Sequence, residues 1–284
     1  MKKIIIAALF FCAFSASAQS LLWRVSGKDL KSQSYLYGTI HIQDHRVFAF
    51  DSTVWHCFDS CDAVALELLL DEINTKEIRQ KMFMPKGNTL MKMLSTDDFA
   101  ILDSLCKDKL GASAIFMSSM KPMFLMSALQ DADLPKDEPL PLDMFFQKQA
   151  RDKGKNCYGL EDYMEQIKAI DAISLDDQVE MLKQVLHSQQ NLALSFDTLV
   201  LVYLDFNMDK ITEMLEDPTL PENFNKSLLS KRNKVMLKGF RKKALSERVF
   251  CAVGCAHLTG KDGLIAQLRK RGYTVEPVPM HWNK

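Results

Sequence analysis

The sequence of 284 residues predicts an α/β protein with a central mixed, partly parallel β-sheet, flanking helices and a mostly helical middle region. Strand-like segments lie near both ends of the chain, and helical periodicity dominates between them. Near the C-terminus, the segments 248–253, 262–271 and 273–278 are typical of a strand, a helix and a second strand. Such a unit predicts a crossover connection between parallel strands.

Residues 1–18 are typical of a secretory signal. Two lysines precede eleven apolar residues, Ile4 to Phe14, and the small residues 16–18 follow. We expect cleavage after Ala18, export to a periplasm or out of the cell, and a single mature domain over residues 19–284. Eleven apolar residues are too few to cross a bilayer, and no later segment is long and apolar enough, so we expect no integral membrane segment in the mature chain.

The mature chain begins with two strand-like runs, at 21–25 and 34–40, and turn-prone residues between them predict a β-hairpin. A helix is expected to begin near Asp51. The near-continuous apolar run at 63–68 is typical of a strand that is covered on both faces. Its single carboxylate belongs to Glu67.

Helical periodicity fills residues 74–130 and returns over 162–245, and we expect both segments to be inserted between strands of the sheet. Between them, 143–153 is typical of a helix that ends at Gly154, and 155–160 is typical of a strand. The first helical segment is rich in methionine. We interpret these methionines as core filling at helical spacing rather than as a ligand-binding surface.

Charge and cysteine content exclude some classes of protein. Lysine and arginine total 36, and aspartate and glutamate also total 36, so the formal net charge is zero. Because no excess positive charge is available to attract phosphate groups, we expect no nucleic-acid partner. Six cysteines remain once Cys12 is removed with the signal. A domain of this size does not need disulfides for stability, and we interpret most of the six as buried free thiols.

The same short pattern occurs near both ends of the chain: an apolar strand, a glycine, two further residues and a histidine. Gly38 and His41 form the first copy, and Gly254 and His257 form the second. In open α/β sheets ligands bind at the C-terminal edge of the strands, so we expect the two histidines to meet there. Glu67 ends a third apolar strand and must be paired, metal-bound or at the sheet edge, because burying a lone charge is costly.

Two imidazoles and a carboxylate form an N,N,O ligand set that leaves a coordination position open for water. The hypothesis is therefore a centre in which His41, His257 and Glu67 bind a divalent ion such as Mn²⁺, Co²⁺ or Zn²⁺. His45, four residues after His41, is a lesser candidate ligand. The basic run within the long helix expected at 222–245 is interpreted as a solvated face, one member of which could face inward.

Several short motifs are spread over nearly the whole mature chain. They are Tyr37–His41, Ala65–Leu68, Lys121–Pro122, Gly159–Glu161, Lys231–Asn233, Val253–Leu258 and Arg271–Glu276. Together these motifs resemble the TraB/GumN family, which belongs to a Tiki-like metalloprotease superfamily.

The resemblance implies roles for individual residues. It identifies His41 and His257 with the two Gly-x-x-His motifs of the family and Glu67 with its required glutamate. Arg232 matches the polar arginine of the family, and Glu161 matches a second recurring carboxylate. Met123 departs from the pattern, because the family often has tryptophan there, and this change alters the expected shape of the substrate groove.

The function implied is a secreted, metal-dependent hydrolase that cleaves a peptide or protein substrate. Water activated by the metal would attack the scissile carbonyl, Arg232 would help to stabilise the oxyanion, and Glu161 would orient a ligand histidine or transfer a proton. Glu67 could act as a metal ligand or as the general base. Two alternatives are a metal-independent, esterase-like hydrolase with His41 as the general base, and a non-catalytic peptide- or haem-binding protein.

Overall fold

The computed structural model describes residues 20–27, 29–30, 32–72, 75–187 and 192–283. The segment predicted to be a secretory signal lies outside these ranges. Within them, six strands form one sheet in the order β4-β3-β5-β2-β1-β6. The strands are β1 (Leu22–Ser26), β2 (Ser34–Thr39), β3 (Ala63–Leu66), β4 (Asn156–Gly159), β5 (Val249–Gly254) and β6 (Thr274–Pro277).

The sheet is mixed and partly parallel, as the sequence predicts. Strands β4, β3, β5 and β2 are parallel, whereas β1 is antiparallel to both of its neighbours, β2 and β6. The predicted hairpin of β1 and β2 is confirmed. Strands β5 and β6 run in the same direction, as expected for a crossover, but β2 and β1 lie between them.

Helices fill most of the chain between the strands. They are α1 (Ser52–Ser60), α2 (Thr75–Lys81), α3 (Leu90–Met93), α4 (Thr96–Leu110), α5 (Pro122–Ala132), α6 (Leu142–Asp152), α7 (Tyr163–Asp171), α8 (Leu175–His187), α9 (Leu192–Leu204), α10 (Met208–Leu215), α11 (Lys231–Ala244) and α12 (Leu264–Lys270). The two helical segments expected around 74–130 and 162–245 are confirmed.

Local sequence sets several helix ends. The Asp51 side chain accepts a hydrogen bond from the Thr53 amide at the start of α1, which confirms the predicted helix start. Gly154 follows α6 with a φ of 65°, a left-handed conformation that favours glycine. The long helix predicted at 222–245 is interrupted, because Lys226–Ser230 forms a π-helical turn before α11 begins.

Two clusters of buried apolar side chains stabilise the fold. The first lies around the sheet and includes the aromatic side chains of Tyr37, Phe58, Phe146 and Phe250. The second lies among helices α3, α4, α5 and α8. The predicted core role is confirmed for six of the eight methionines of the first helical segment: Met93, Met117, Met120 and Met123 pack around this second cluster, and Met84 and Met126 are buried within it. The prediction is wrong for Met91, whose side chain is 54% exposed.

The six cysteines of the described residues all carry free thiols, and all except Cys157 are buried. This agrees with the interpretation of most of them as core side chains. Among the described helices, none combines the length and the apolar character needed to cross a membrane.

Candidate functional site

The two Gly-x-x-His motifs meet at one edge of the sheet. Strand β2 pairs in parallel with β5, and the last register positions align Gly38 with Val253 and Thr39 with Gly254. Close packing of the two turns requires a glycine, because a Cβ atom on Gly38 would lie 3.1 Å from the Cβ of Cys255. His41 and His257 therefore follow adjacent strands at the same C-terminal edge, as expected from the repeated motif.

Glu67 directly follows β3, the other neighbour of β5. Its Oε1 atom accepts a hydrogen bond from the Gly254 amide at 2.7 Å, and its Oε2 atom accepts one from Arg232 Nη2 at 2.6 Å. Burial acts to raise the pKa of Glu67, but His257, Arg232 and the Gly254 amide outweigh it, and the net pKa is lowered. Glu67 is therefore an ionised carboxylate at neutral pH.

His257 is buried behind Glu67, with 4% of its surface exposed. Its Nδ1 atom lies 2.7 Å from Asn233 Oδ1. The Asn233 amide is oriented by its own Nδ2 group, which donates to the Asp262 carbonyl at 2.9 Å, so Nδ1–H of His257 is the donor to Asn233. The unprotonated Nε2 atom faces Glu67 Oε1 at 3.7 Å. Burial lowers the pKa of His257 to about 4, so the imidazole is neutral at pH 7.

His41 is oriented in the same manner by a different partner. Its Nδ1 atom lies 2.8 and 2.9 Å from the two carboxylate oxygens of Asp143, in the first turn of α6. The imidazole is solvent-accessible, with 61% of its side chain exposed. The hydrogen bond with Asp143 raises the pKa of His41, and Glu67 is close enough to add to this effect. With Nδ1–H directed at Asp143, the Nε2 atom of neutral His41 is free to bind a ligand.

Arg232 is the inward-facing member of the basic run in α11. Its Nη2 atom contacts both Glu67 and Glu161, its Nε atom donates to Glu161, and Nη1 donates to the Leu228 carbonyl of the π-helical turn at 3.0 Å. These contacts use four of the five guanidinium N–H groups and leave one N–H of Nη1. The Glu161 side chain is fully buried and also accepts from Gln166 at 3.0 Å.

The expected role of Glu161 as a partner of a ligand histidine is not what its contacts indicate. Its carboxylate binds Arg232 and Gln166, and through Arg232 it holds the guanidinium against Glu67. The partners of the histidines are Asp143 and Asn233, which sequence reasoning did not assign. Asn233 lies in the Lys231–Asn233 motif, and that motif was the signal that could have identified it.

A cavity of about 380 Å³ opens at this edge of the sheet. Its lining includes His41, Glu67, Asp143, Gln166 and Arg232, whereas His257 lies behind Glu67. A cavity of about 540 Å³ lies on the other side of Asn233, away from these side chains. We regard the smaller cavity as the candidate site because the polar groups with matched geometry converge on it.

The donor chemistry of the cleft is compatible with a divalent cation. Both histidines direct Nδ1–H at an oxygen acceptor, an arrangement that metal-binding histidines almost always have. Glu67 and Glu161 share one guanidinium, that of Arg232, and the carboxylate of Asp143 lies beside His41, so carboxylates outnumber the guanidinium in the cleft.

The three predicted metal ligands do not form one compact group. Within the described residues, the donor atoms of His41, Glu67 and His257 do not all lie within 4.8 Å of one another. Since His257 and Glu67 are 3.7 Å apart, the larger separation involves the exposed His41.

A second group with possible metal-binding geometry contains the lesser candidate, His45. Donor atoms of Asp44, His45 and Asp137 lie within 4.8 Å of one another. Asp44 is already neutralised by Arg46, whose Nη2 lies 2.5 Å from Asp44 Oδ2. Glu67 in the cleft is bound by Arg232 in the same way, so the cation does not separate the two groups. The cleft is favoured because two imidazoles with bound Nδ1 atoms lie beside its carboxylate, whereas the second group has only one imidazole.

The fold and the cleft define an α/β protein in which two histidines and an ionised glutamate meet at the C-terminal edge of a partly parallel sheet. The chain belongs to the TraB/PrgY/gumN family, whose model matches residues 21–277. The family predicted from the short motifs is therefore confirmed.

Three relatives are similar in sequence to most of this chain. It is 24% identical to Metalloprotease TIKI2 of Danio rerio over 92% of this chain and 61% of the relative. It is 24% identical to Metalloprotease TIKI1 of Xenopus tropicalis, with 92% and 62% covered, and 22% identical to a Metalloprotease TIKI homolog of Amphimedon queenslandica, with 94% and 63% covered. The chain thus spans somewhat less than two thirds of the length of these relatives. No solved structure matches the chain significantly.

Proposed function

We propose that this chain is an exported metal-dependent peptidase whose centre contains His41, His257 and Glu67. The observation that carries the proposal is the matched orientation of the two imidazoles. Asp143 and Asn233 accept from the Nδ1–H groups and leave both Nε2 atoms available near the ionised carboxylate of Glu67. The relatives named metalloproteases support the same class of reaction.

Each residue of the proposed centre has a defined task. His257 and Glu67 form the fixed part of the centre, and His41 completes the ligand set from the solvent side. A divalent ion bound there would polarise the scissile carbonyl and make water a stronger nucleophile. The remaining N–H of Arg232 can donate to the carbonyl oxygen as negative charge develops on it. Glu161 fixes Arg232 in place and is too deeply buried to contact substrate.

Glu67 has two possible tasks that share one prediction. As a ligand or as a general base it is required, so Glu67→Gln is expected to abolish peptide cleavage. Metal content separates the two tasks. A metal-free Glu67→Gln variant indicates a ligand, and a variant that retains the metal indicates a base.

The test is elemental analysis of the purified protein beside three single variants. The native chain is expected to contain one equivalent of a divalent metal, and His257→Ala and His41→Ala are expected to lose it. His187→Ala is the matched control, because His187 pairs with Asp98 on α4, outside the cleft. Equal metal content in the native protein and in His257→Ala would reject the proposed centre.

A further variant tests the second group of possible ligands. His45→Ala removes the imidazole between Asp44 and Asp137 and is expected to leave metal content unchanged. If His45→Ala loses the metal and His257→Ala retains it, the metal binds at Asp44, His45 and Asp137, and the proposed centre is rejected. Cleavage of a peptide library that persists after exhaustive chelation would favour the metal-independent hydrolase.

A further inference from the structure

Part of the helical region presents large apolar side chains to solvent. The exposed side chains are Phe83, Met91, Ile115 and Phe116, and Phe116 is 82% exposed. Apolar side chains of this size on a surface mark sites of contact with a protein or a membrane when they occur together. Here the exposed side chains belong to two short segments, 78–94 and 113–121. We call the surface that these two segments form the basic apolar face.

Backbone hydrogen bonds hold the two segments side by side. The Leu90 amide donates to the Ser118 carbonyl at 2.7 Å, and the Met84 amide donates to the Ser119 carbonyl at 2.8 Å. The Lys121 amide donates to Met82 at 2.9 Å. Because Met91 is adjacent to Leu90 and Phe116 is two residues before Ser118, the exposed apolar side chains of both segments belong to one local region.

The two segments carry cations and no acidic residue, and the two carboxylates that contact the second segment, Asp103 and Asp171, are paired with Lys107 and Lys121. The sequence has no aspartate or glutamate between Glu77 and Asp97, or between Asp108 and Asp131. The first of these intervals contains four exposed cations, Arg79, Lys81, Lys86 and Lys92. In the described part of the chain, no ion pair joins any of these four to a carboxylate.

We infer that the basic apolar face docks on the surface of an anionic lipid bilayer. A second copy of the same face is disfavoured, because a symmetric contact would oppose like charges. Lysine is depleted at protein–protein interfaces. Phenylalanine and other bulky apolar side chains beside lysines are typical of segments that lie in the membrane interface, where the apolar groups enter the acyl boundary and the cations bind anionic headgroups.

The first test is sedimentation of the full chain with lipid vesicles. We expect binding to phosphatidylcholine vesicles that contain phosphatidylglycerol, weaker binding to vesicles of phosphatidylcholine alone, and loss of binding at high salt. Failure to bind the anionic vesicles would overturn the inference and would leave an acidic protein as the partner suited to this face.

Paired variants locate the apolar contribution. Phe83→Ser with Phe116→Ser is expected to weaken binding to anionic vesicles by about tenfold or more, because about 0.8 kcal/mol is lost for each methylene that no longer enters the bilayer. Leu201→Ser is the matched control: Leu201 is 56% exposed but lies on α9. A circular dichroism spectrum confirms that each variant is folded. Equal binding by the double variant and the native chain would contradict the inference.

A second pair of variants locates the electrostatic contribution. Charge reversal at Lys81, Lys86 and Lys92 is expected to weaken binding by more than about tenfold, since each cation near the surface contributes about 1 kcal/mol. The control reverses three exposed lysines of α11, which are Lys234, Lys238 and Lys242. An equal effect of the two triple variants would show non-specific attraction and would overturn the assignment to this face.

Discussion

The backbone amide of Gly254 and the carboxylate of Glu67 are held in direct contact at the C-terminal edge of the sheet. The N–H group donates to Oε1 at 2.7 Å, and a Cβ atom on residue 254 would lie 3.0 Å from that same oxygen. Glycine is therefore needed here so that the carboxylate can approach the strand end. Arg232 holds the other carboxylate oxygen, so Glu67 has little room to retreat.

Gly254→Ala tests this contact. The added methyl group is expected to displace the Glu67 carboxylate and to lower metal affinity and peptide cleavage by at least about tenfold, an effect expected when a ligand loses its supporting contact. Stability to urea is expected to change by less than about 1 kcal/mol, because φ at this position is ordinary. Gly159→Ala, where the nearest atom would be 3.4 Å away, is the control. Unchanged metal affinity in Gly254→Ala would contradict the prediction.

Asp143→Asn tests the origin of the raised pKa of His41. The asparagine keeps an oxygen acceptor but removes the negative charge, so the pKa of His41 is expected to fall in the metal-free variant. The pH at which the imidazole becomes neutral, and with it the acidic limb of activity, should move to lower pH. Titration of the His41 ring signals by NMR measures the change. Asp137→Asn is the control, because it should lower the pKa of His45 alone.

The buried His257 predicts a loss of stability in acid. Its pKa of about 4 in the folded chain lies below the ordinary histidine value of 6.5, so the unfolded chain binds the extra proton first as the pH falls. The contribution to stability is complete above pH 6.5 and is lost as the pH falls towards 4, at a cost of about 3 kcal/mol. Urea unfolding of metal-free protein at several pH values measures this. His257→Gln should show a smaller decrease over the same interval, and an identical decrease would count against the buried neutral imidazole.

Arg232→Met tests the buried ion pair with Glu161. Removal of the guanidinium leaves a fully buried carboxylate without its partner, and a loss of about 3–5 kcal/mol in the free energy of unfolding is expected. A second change, Glu161→Gln, should recover part of that loss because it removes the unpaired charge. Arg248→Met breaks an exposed pair with Asp62 and should cost less than about 1 kcal/mol. Similar losses in the two single variants would contradict the buried pairing.

The sequence predicted the parts of the fold that depend on local pattern. Alternation and apolar runs placed the strands to within two residues, and the repeated motif correctly predicted that the ends of β2 and β5 lie at the same edge of the sheet. The edge position of β6 was not predictable, because its antiparallel pairing with β1 depends on contacts between distant parts of the chain. Strand β3 ends at Leu66 because Glu67 turns towards Gly254 and Arg232.

The partners of the two histidines could not be predicted for a similar reason. Asp143 is 102 residues from His41, and Asn233 is 24 residues from His257, so each contact depends on how a helix packs against the sheet. Arg232 could be matched only through the family motif, because several cations of α11 have the same local pattern. The structure selects it through the π-helical turn, whose Leu228 carbonyl accepts from Nη1.

The parallel pairing of β2 with β5 also sets the order in which the centre can assemble during synthesis. Residues 39 and 254 are paired neighbours, so a ribosome has made most of the polypeptide before the second histidine exists. A nascent chain that carries only His41 and Glu67 lacks the buried imidazole, and the strand β5 that would align them is still missing. The proposed centre is therefore incomplete until translation has passed residue 257.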